Sequence, residues 1–303
     1  MANPSQNISE QVKRQMNQPQ IHDAWERNYR SRENEQFFEQ AYDDFVVRLA
    51  QPPGSRALDI GCGICANSLR LARRGYVVSA ADYSEPILVQ ARKNVAKQGL
   101  SDRITIGRED ILNLSFPNDH FDLVLCWGVL MHIPEAQRAI NELIRVTKPS
   151  GFIVLEEINQ NAPEALLMRL AWSALKKNVT ISKTPRGYEQ TSRFEGETLF
   201  WRHVNPDWLI SQFEGCTCRL FRRDSSMLSE TYIYIPSMFA KSAIHRLNRL
   251  WLRRVNLPRL AFHNVFIFRK NEPLEAVAKF AVRRAAIEQT PWPLSDRACR
   301  SLR

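Results

Sequence analysis

The chain has 303 residues, of which 44% are hydrophobic and 24% are charged, a composition typical of a folded globular protein and not of a disordered one. Six cysteines are too few for a disulfide scaffold, and no apolar run reaches the ~18 residues that span a bilayer. The net charge of +10 belongs to the second half, because residues 1–150 contain 18 basic and 18 acidic residues, whereas residues 151–303 contain 24 and 14.

The first 50 residues are predicted to form an N-terminal helical arm. A Gln- and Asn-rich stretch up to about residue 20 is expected to be frayed, and the aromatic residues of the segment 22–50 recur at helical spacing. The sequence QPPGS then ends the arm. Tyr29, within the arm, is a candidate to close over a bound cofactor.

Strands and helices alternate after residue 51. Apolar runs predict strands at 56–60, 76–82, 103–107, 121–126 and 151–157, and helical patterns predict helices at 66–74, 86–97 and 134–146. Near-continuous apolar strands that alternate with helices favour a parallel sheet covered on both faces. The sequence therefore predicts an α/β domain.

Two insertions and a tail interrupt or follow this alternation. Residues of about 158–203 contain one predicted helix, PEALLMRLAWSALKK, and a polar stretch, and residues 226–260 are basic. A helix capped by Asn205 and two late strands, TCRLFRR and AFHNVFIFRK, surround the basic segment. We expect one domain over 51–271 with both insertions forming a cap, followed by an amphipathic helix and tail at 272–303.

The loop after the first strand is the strongest indication of function. In ALDIGCGICANSLRLARRG, a strand leads through two glycines into a helix, and backbone N–H groups in such a loop can approach a nucleotide. The spelling fits the G-x-G-x-x-[GA] pattern of NAD-binding folds. Cys62 and Cys65 also have the spacing of a metal site. A dinucleotide, another nucleotide cofactor and a metal all stay open on this loop alone.

Carboxylates near the ends of the predicted strands help to distinguish between a dinucleotide, another nucleotide cofactor and a metal. Asp59, inside the first strand, suits a cofactor with a positive amino group better than a pyrophosphate. Asp82 ends the second strand, where it can accept both ribose hydroxyls of either cofactor type. Asp110 follows the third strand and can accept a hydrogen bond from an adenine amino group while Ile111 packs against the ring.

With FDLVLCWGVLMHIP and VTKPSGFIVL, these segments resemble the class I S-adenosylmethionine-dependent methyltransferases over residues 56–156, in the order typical of that family. The resemblance implies a Rossmann-like seven-stranded sandwich and methyl transfer to the oxygen of a small-molecule, lipid-linked or glycan-linked acceptor. It also implies a role for each matching residue, with S-adenosylmethionine as cofactor. Gly61 and Gly63 line its methionine part above Asp59, Asp82 binds the ribose, Asp110 and Ile111 hold the adenine, and Trp127 contacts it from the substrate side.

The sequence departs from the family pattern at Cys65, which occupies the place of a third glycine, so a sulfur is expected beside the cofactor. His132 is the candidate catalytic base, although a structural or pocket-lining role is the stronger interpretation, and His203 is a further candidate. A metal bound by Cys62 and Cys65 is not favoured, because small residues near a glycine turn are often cysteine. An NAD-dependent oxidoreductase and a non-catalytic cofactor-binding module stay as alternatives.

The basic segment 238–255 has two interpretations. No Asp or Glu occurs from Thr231 to Asn271, against eight Lys and Arg, and helical spacing puts Arg246, Arg249 and Arg253 on one face, opposite Ile244, Leu247 and Trp251. The helix could rest on an anionic membrane or cover an acidic substrate, or simply present a solvated face. Nucleic-acid binding is not favoured, since no RNA-binding module is recognisable. We expect a cytoplasmic protein without a secretory signal, peripheral to the membrane on the first interpretation.

Overall fold

The structure is a computed structural model, and the residues that it describes are 4–18, 20, 35, 38–39, 42–43, 46, 48–175, 179–194, 197–235 and 237–272. Tyr29, most of the predicted helix 22–50 and the predicted helix and tail beyond residue 272 lie outside the described residues.

A seven-stranded sheet organises the fold, in the order β3-β2-β1-β4-β5-β10-β9. The first five strands pair in parallel, and β10 runs antiparallel to both of its neighbours. This topology confirms the predicted Rossmann-like methyltransferase sandwich. The strands are β1 Arg56–Ile60, β2 Val77–Asp82, β3 Ile104–Arg108, β4 Phe121–Trp127, β5 Thr147–Ile158, β9 Cys218–Met227 and β10 His263–Lys270.

Helices cover both faces of this sheet, because each presents one apolar stripe to it. One buried cluster joins the sheet to α2 (Ala66–Arg73) and α3 (Glu85–Lys97). The other joins it to α4 (Ala136–Val146) and α6 (Pro206–Glu214). The Asn205 side chain caps α6 as predicted, by accepting a hydrogen bond from the Asp207 N–H. The parallel strands are thus buried on both sides, and their carboxyl ends share one edge.

The first insertion contains more regular structure than the sequence predicts. The helix α5 (Pro163–Ala174) is followed by a three-stranded antiparallel sheet of β6 (Val179–Thr184), β7 (Gly187–Phe194) and β8 (Glu197–Val204). The sequence shows only a polar stretch here, because buried polar groups such as the Arg202 guanidinium take the place of an apolar face.

The second insertion contains α7 (Met238–Leu250) and a π-helical turn, Trp251–Val255. Its buried face carries His245 and Asn248, whereas Leu247, which the spacing predicts beside Ile244, is 46% exposed. The predicted assignment of faces is therefore wrong at Leu247. The reason is that the Asn248 side chain binds both backbone groups of Ser229, which turns this polar residue inward.

One further helix, α1 (Pro4–Met16), lies within the stretch expected to be frayed, and it packs against β8. No helix among the described residues is long and apolar enough to cross a membrane.

Candidate functional site

The glycine loop between β1 and α2 adopts backbone conformations that favour glycine. Gly61 has φ +74°, and a Cβ there would lie 2.2 Å from Val129 Cγ2, so a side chain is excluded. Gly63 has φ +53°, and a Cβ there would meet no atom within 4 Å. Gly63 therefore borders open space, and both glycines line a cavity of about 240 Å³ at the carboxyl edge of the sheet.

Cys65 keeps a glycine-like backbone at the end of the loop, but its side chain does not line the cavity. Its backbone is left-handed, with φ +67°, but its side chain is fully buried in the core, and its Sγ lies 3.8 Å from that of Cys62. The expectation of a sulfur beside the cofactor is therefore corrected: the side chain packs under the loop. Among the residues that the structure describes, no group of three or more His, Cys, Asp or Glu is arranged to hold a metal ion.

Asp59 lies beneath the loop and supports it. Its side chain is 1% exposed, and Ser68 Oγ, from α2, donates a hydrogen bond of 2.6 Å to its Oδ2. Burial raises the pKa of Asp59 to about 6, with Asp82 as a further contribution. Asp59 thus joins the first strand to the helix that follows the loop, consistent with the ordering role that the resemblance implies.

Asp82 lines the cavity at the end of β2. Its Oδ2 accepts a hydrogen bond of 3.0 Å from the Gly63 N–H, and its Oδ1 accepts one of 3.0 Å from the Ser84 N–H. The two backbone donors hold the carboxylate beside the glycine loop. This location is suitable for binding a ribose, and the ribose role of Asp82 stays a prediction.

Asp110 and Ile111 line the same cavity, but a lysine from α1 holds Asp110. Lys13 Nζ lies 2.7 Å from Asp110 Oδ2, while Asp110 Oδ1 accepts a hydrogen bond from the Leu112 N–H. An adenine amino group would compete with Lys13 for Oδ2. The adenine roles of Asp110 and Ile111 stay predictions.

The helix α1 covers this cavity, which sequence reasoning missed. Ser9, Val12, Lys13 and Met16 line it. Their spacing of three, four and seven residues is the signal of one helical face, and it is weak because only Val12 and Met16 of the four are apolar.

Trp127, Gly128 and His132 line both this cavity and a second one, of about 250 Å³. His132 Nδ1 lies 2.9 Å from the Phe200 carbonyl oxygen, and since a carbonyl only accepts, Nδ1 carries the proton. Burial lowers the pKa of His132. His132 therefore borders the junction of the cavities, as a catalytic or a pocket-lining residue would.

His203 does not join this site. It is buried against Arg169 and the Phe262 ring, and burial lowers its pKa to about 3, with Arg169 as the next cause. Its surroundings favour a structural role in the cap.

The residues of the first cavity fit S-adenosylmethionine. The open space beside Gly63 admits a ligand close to the backbone, and the Asp82 carboxylate faces the same space at the distance of one hydrogen bond from that loop.

Comparisons with known proteins also find methyltransferases. Residues 58–155 match the family described as "Methyltransferase domain". A ubiquinone biosynthesis O-methyltransferase of Hahella chejuensis is 32% identical over 152 residues, which are 50% of this chain and 61% of that protein. The chain spans about half the length of the curated relatives it matches.

Solved structures share the fold. The magnesium protoporphyrin IX methyltransferase of Synechocystis, with bound SAH (S-adenosylhomocysteine), is 17% identical with a TM-score of 0.56, covering 86% of this chain and 98% of that one. The [4+2]-cyclase SpnF is 19% identical with a TM-score of 0.58, covering 90% and 98%. Residues 58–155 therefore match a methyltransferase domain, and the seven-stranded sheet that contains them has the fold of solved S-adenosylmethionine-dependent methyltransferases.

Proposed function

We propose that the protein transfers a methyl group from S-adenosylmethionine to an oxygen of a small-molecule, lipid-linked or glycan-linked acceptor. The observation that carries the proposal is the pair of cavities that share Trp127, Gly128 and His132. One cavity holds the predicted cofactor residues, and the other provides space for an acceptor next to it. The name of the Hahella relative, an O-methyltransferase, supports oxygen as the acceptor atom.

When bound, S-adenosylmethionine supplies an activated methyl group on a good leaving group. The contribution of the protein is then largely positioning, which brings the acceptor into line with the methyl carbon. Asp82 and the glycine loop would orient the cofactor, and the second cavity would orient the acceptor. The helix α1 would exclude water from the first cavity.

The test is to incubate a lysate of the source organism with the full chain and methyl-labelled S-adenosylmethionine, and to separate lipid, small-molecule, glycan and RNA fractions. Label is expected in the lipid, small-molecule or glycan fraction, bound as a methyl ether or ester. Heat-treated protein is one control and should give no label. Asp82→Ala is the other, and with the labelled cofactor kept below its dissociation constant it should give much less label than wild type. Label confined to RNA, or none above the controls, would contradict the proposal.

We also propose that the cap rests on an anionic membrane surface through residues 238–255. The outward face of α7 combines exposed apolar side chains, Phe239 at 87% and Leu250 at 53%, with exposed Arg246. Arg253 and Arg254 in the next turn are also exposed. Apolar and basic side chains on one exposed face are typical of helices that lie in a membrane interface.

A second exposed apolar face supports this proposal. Leu166, Leu167 and Leu170 on α5 are between 51% and 65% exposed. Both helices attach to the same turn, since the Glu230 N–H donates to Glu164 of α5 and the Ser229 N–H donates to Asn248 of α7. The leucines of α5 would therefore enter the lipid beside the arginines of α7.

Sedimentation with anionic vesicles at low salt tests the membrane proposal. Each arginine near an anionic surface contributes about 1 kcal/mol, so replacing Arg246, Arg253 and Arg254 with Gln should weaken binding roughly a hundredfold. A matched control replaces Arg73, Lys93 and Lys97, exposed basic residues of α2 and α3, and should bind normally. Wild-type protein that stays in the supernatant would contradict the proposal and favour a lid over an acidic substrate.

A further inference from the structure

The second cavity contains a buried charged cluster that the sequence analysis did not single out. Glu156 at the end of β5, His263 at the start of β10 and Glu230 after β9 all line this cavity. Their side chains are only 6%, 8% and 7% exposed, respectively. Charged groups this deeply buried need partners or a function.

The imidazole of His263 lies between the two carboxylates. Its Nδ1 is 2.6 Å from Glu156 Oε1, and its Nε2 is 3.4 Å from Glu230 Oε2. Burial lowers the pKa of His263, but the two carboxylates raise it more, and the net result is well above the usual range. The two carboxyl groups thus favour the charged form of the His263 imidazole.

The other oxygen of Glu156 lies at the junction of the two cavities. Glu156 Oε2 would be 3.6 Å from a Cβ built on Gly128, and Gly128 lines both cavities. Glu156 is also the register partner of Trp127 in the β4–β5 pairing, at the carboxyl edge of the sheet where the cofactor cavity opens. One oxygen of Glu156 thus contacts His263, while the other lies beside Gly128, which lines both cavities.

From this geometry we propose that Glu156 is the general base for the acceptor hydroxyl, and that His263, held by Glu230, is the residue that positions it. The proposal rests on the proposed function. The hydroxyl proton passes to Glu156 Oε2, the acceptor oxygen forms a bond to the methyl carbon, and the bond from that carbon to sulfur breaks with its electron pair left on sulfur. The products are the methylated acceptor and S-adenosylhomocysteine, and the proton leaves Glu156 for solvent.

Glu157 offers a matched control. It is adjacent in sequence and fully buried, but it points to the other side of β5 and does not line either cavity described above. Burial, followed by repulsion from Glu156, raises the pKa of Glu157 well above its usual range. Glu157→Gln therefore makes the same chemical change on the neighbouring buried residue, but outside both cavities.

The first measurement needs no acceptor. Sinefungin is an analogue of S-adenosylmethionine in which an ammonium-bearing carbon replaces the methylsulfonium, so its cation should lie near Glu156 Oε2. We expect Glu156→Gln to bind S-adenosylhomocysteine with the same dissociation constant as wild type. The preference for sinefungin, which is the ratio of the dissociation constants of S-adenosylhomocysteine and sinefungin, should fall about tenfold. Glu157→Gln should keep that preference. An unchanged preference in Glu156→Gln would overturn the assignment.

The second measurement uses the lysate fraction that wild type labels. Glu156→Gln should lower the initial rate of labelling at least a hundredfold, a typical loss for a general base. A rate within threefold of wild type would overturn the role of Glu156 as base. Wild type that binds no S-adenosylhomocysteine would instead contradict the proposed function itself, so the two failures are distinguishable.

A pH profile tests the positioning role of His263. In His263→Asn the two carboxylates lose the cation between them, so the cluster takes up a proton at higher pH than in wild type. As the pH is lowered, the preference for sinefungin should therefore disappear at a pH at least one unit higher than in wild type. An unchanged profile would overturn this role. The other charged or titratable groups that face the cluster stay in place in this variant: Glu157, Glu164, His132, His203, Tyr42, Tyr234, Arg70 and Glu35.

A crystal structure of wild type with sinefungin keeps the proposal testable if Glu156→Gln does not fold. The ammonium nitrogen is expected within about 3.5 Å of a Glu156 oxygen. An ammonium group more than 5 Å away, with His132 or another residue in between, would overturn the assignment.

Discussion

Single residues of the cofactor site follow from their places at strand ends. Asp82 ends β2 and Asp110 follows β3, and because the ends of parallel strands meet at one edge of the sheet, both carboxylates line one cavity. The cluster of Glu156, Glu230 and His263 was not predictable in this way. Its members belong to segments far apart in the chain, and only the antiparallel insertion of β10 beside β5 brings them together.

At the residue scale, Asp82→Ala tests the ribose assignment. Charge-assisted hydrogen bonds to two hydroxyls contribute on the order of 2–3 kcal/mol, so the dissociation constant for S-adenosylhomocysteine should rise ~30- to 150-fold. Asp122→Ala is the matched control, because Asp122 also accepts a backbone hydrogen bond, from the Arg56 N–H, but lies outside the cavity. Calorimetry on folded variants measures the effect, and equal constants for both variants would refute the assignment.

The elements of the main sheet were predictable because their apolar patterns are strong, whereas the cap sheet was not. Its β8 strand carries Arg202, which is 1% exposed and donates hydrogen bonds to the carbonyls of Ile133 and Pro134. Glu189 on β7 is its ionic partner, at 2.9 Å. The strands β6 and β7 are mostly polar, and in β8 the buried Arg202 interrupts the apolar residues, so the sequence shows only a polar stretch and no clear strand pattern there. The ion pair joins the cap to the loop that borders the cofactor cavity.

At the element scale, Glu189→Gln should destabilise the protein by about 3 kcal/mol, because it leaves the Arg202 guanidinium buried without its counter-charge. Arg186→Gln is the control: Arg186 binds the same Glu189 but is 40% exposed, so its loss should cost about 0–1 kcal/mol. Urea unfolding at pH 7 measures both variants. A cost below 1 kcal/mol for Glu189→Gln would show that the ion pair does not hold the cap in place.

Across the whole molecule, the free energy of unfolding should depend on pH through two buried histidines. Folding lowers the pKa of His203 and raises the pKa of His263. The pKa of His203 is about 3 in the folded protein, below its usual 6.5, so unfolding takes up a proton as the pH falls below 6.5. The contribution of His203 to the free energy of unfolding is complete above pH 6.5. Below pH 6.5 it falls by up to ~1.4 kcal/mol per pH unit toward pH 3. The pKa of His263 is raised, so its contribution is present below 6.5 and is lost as the pH rises through its folded value.

His203→Asn isolates the first of these effects. Between pH 6.5 and 4, the free energy of unfolding of the variant should fall less steeply than that of wild type, by up to ~1.4 kcal/mol per pH unit. Urea unfolding at several pH values gives both curves. Parallel curves would mean that His203 takes up its proton equally in both states, contrary to its burial against Arg169.

We expect the cavity at the carboxyl edge of the sheet to bind S-adenosylmethionine and its product, and not a dinucleotide. Calorimetric titration of the purified chain with S-adenosylhomocysteine and, separately, with NAD tests it most directly. We predict one S-adenosylhomocysteine per chain with a dissociation constant on the order of micromolar, about −8 kcal/mol, and no heat with NAD. Tight binding of NAD without binding of S-adenosylhomocysteine would contradict the account.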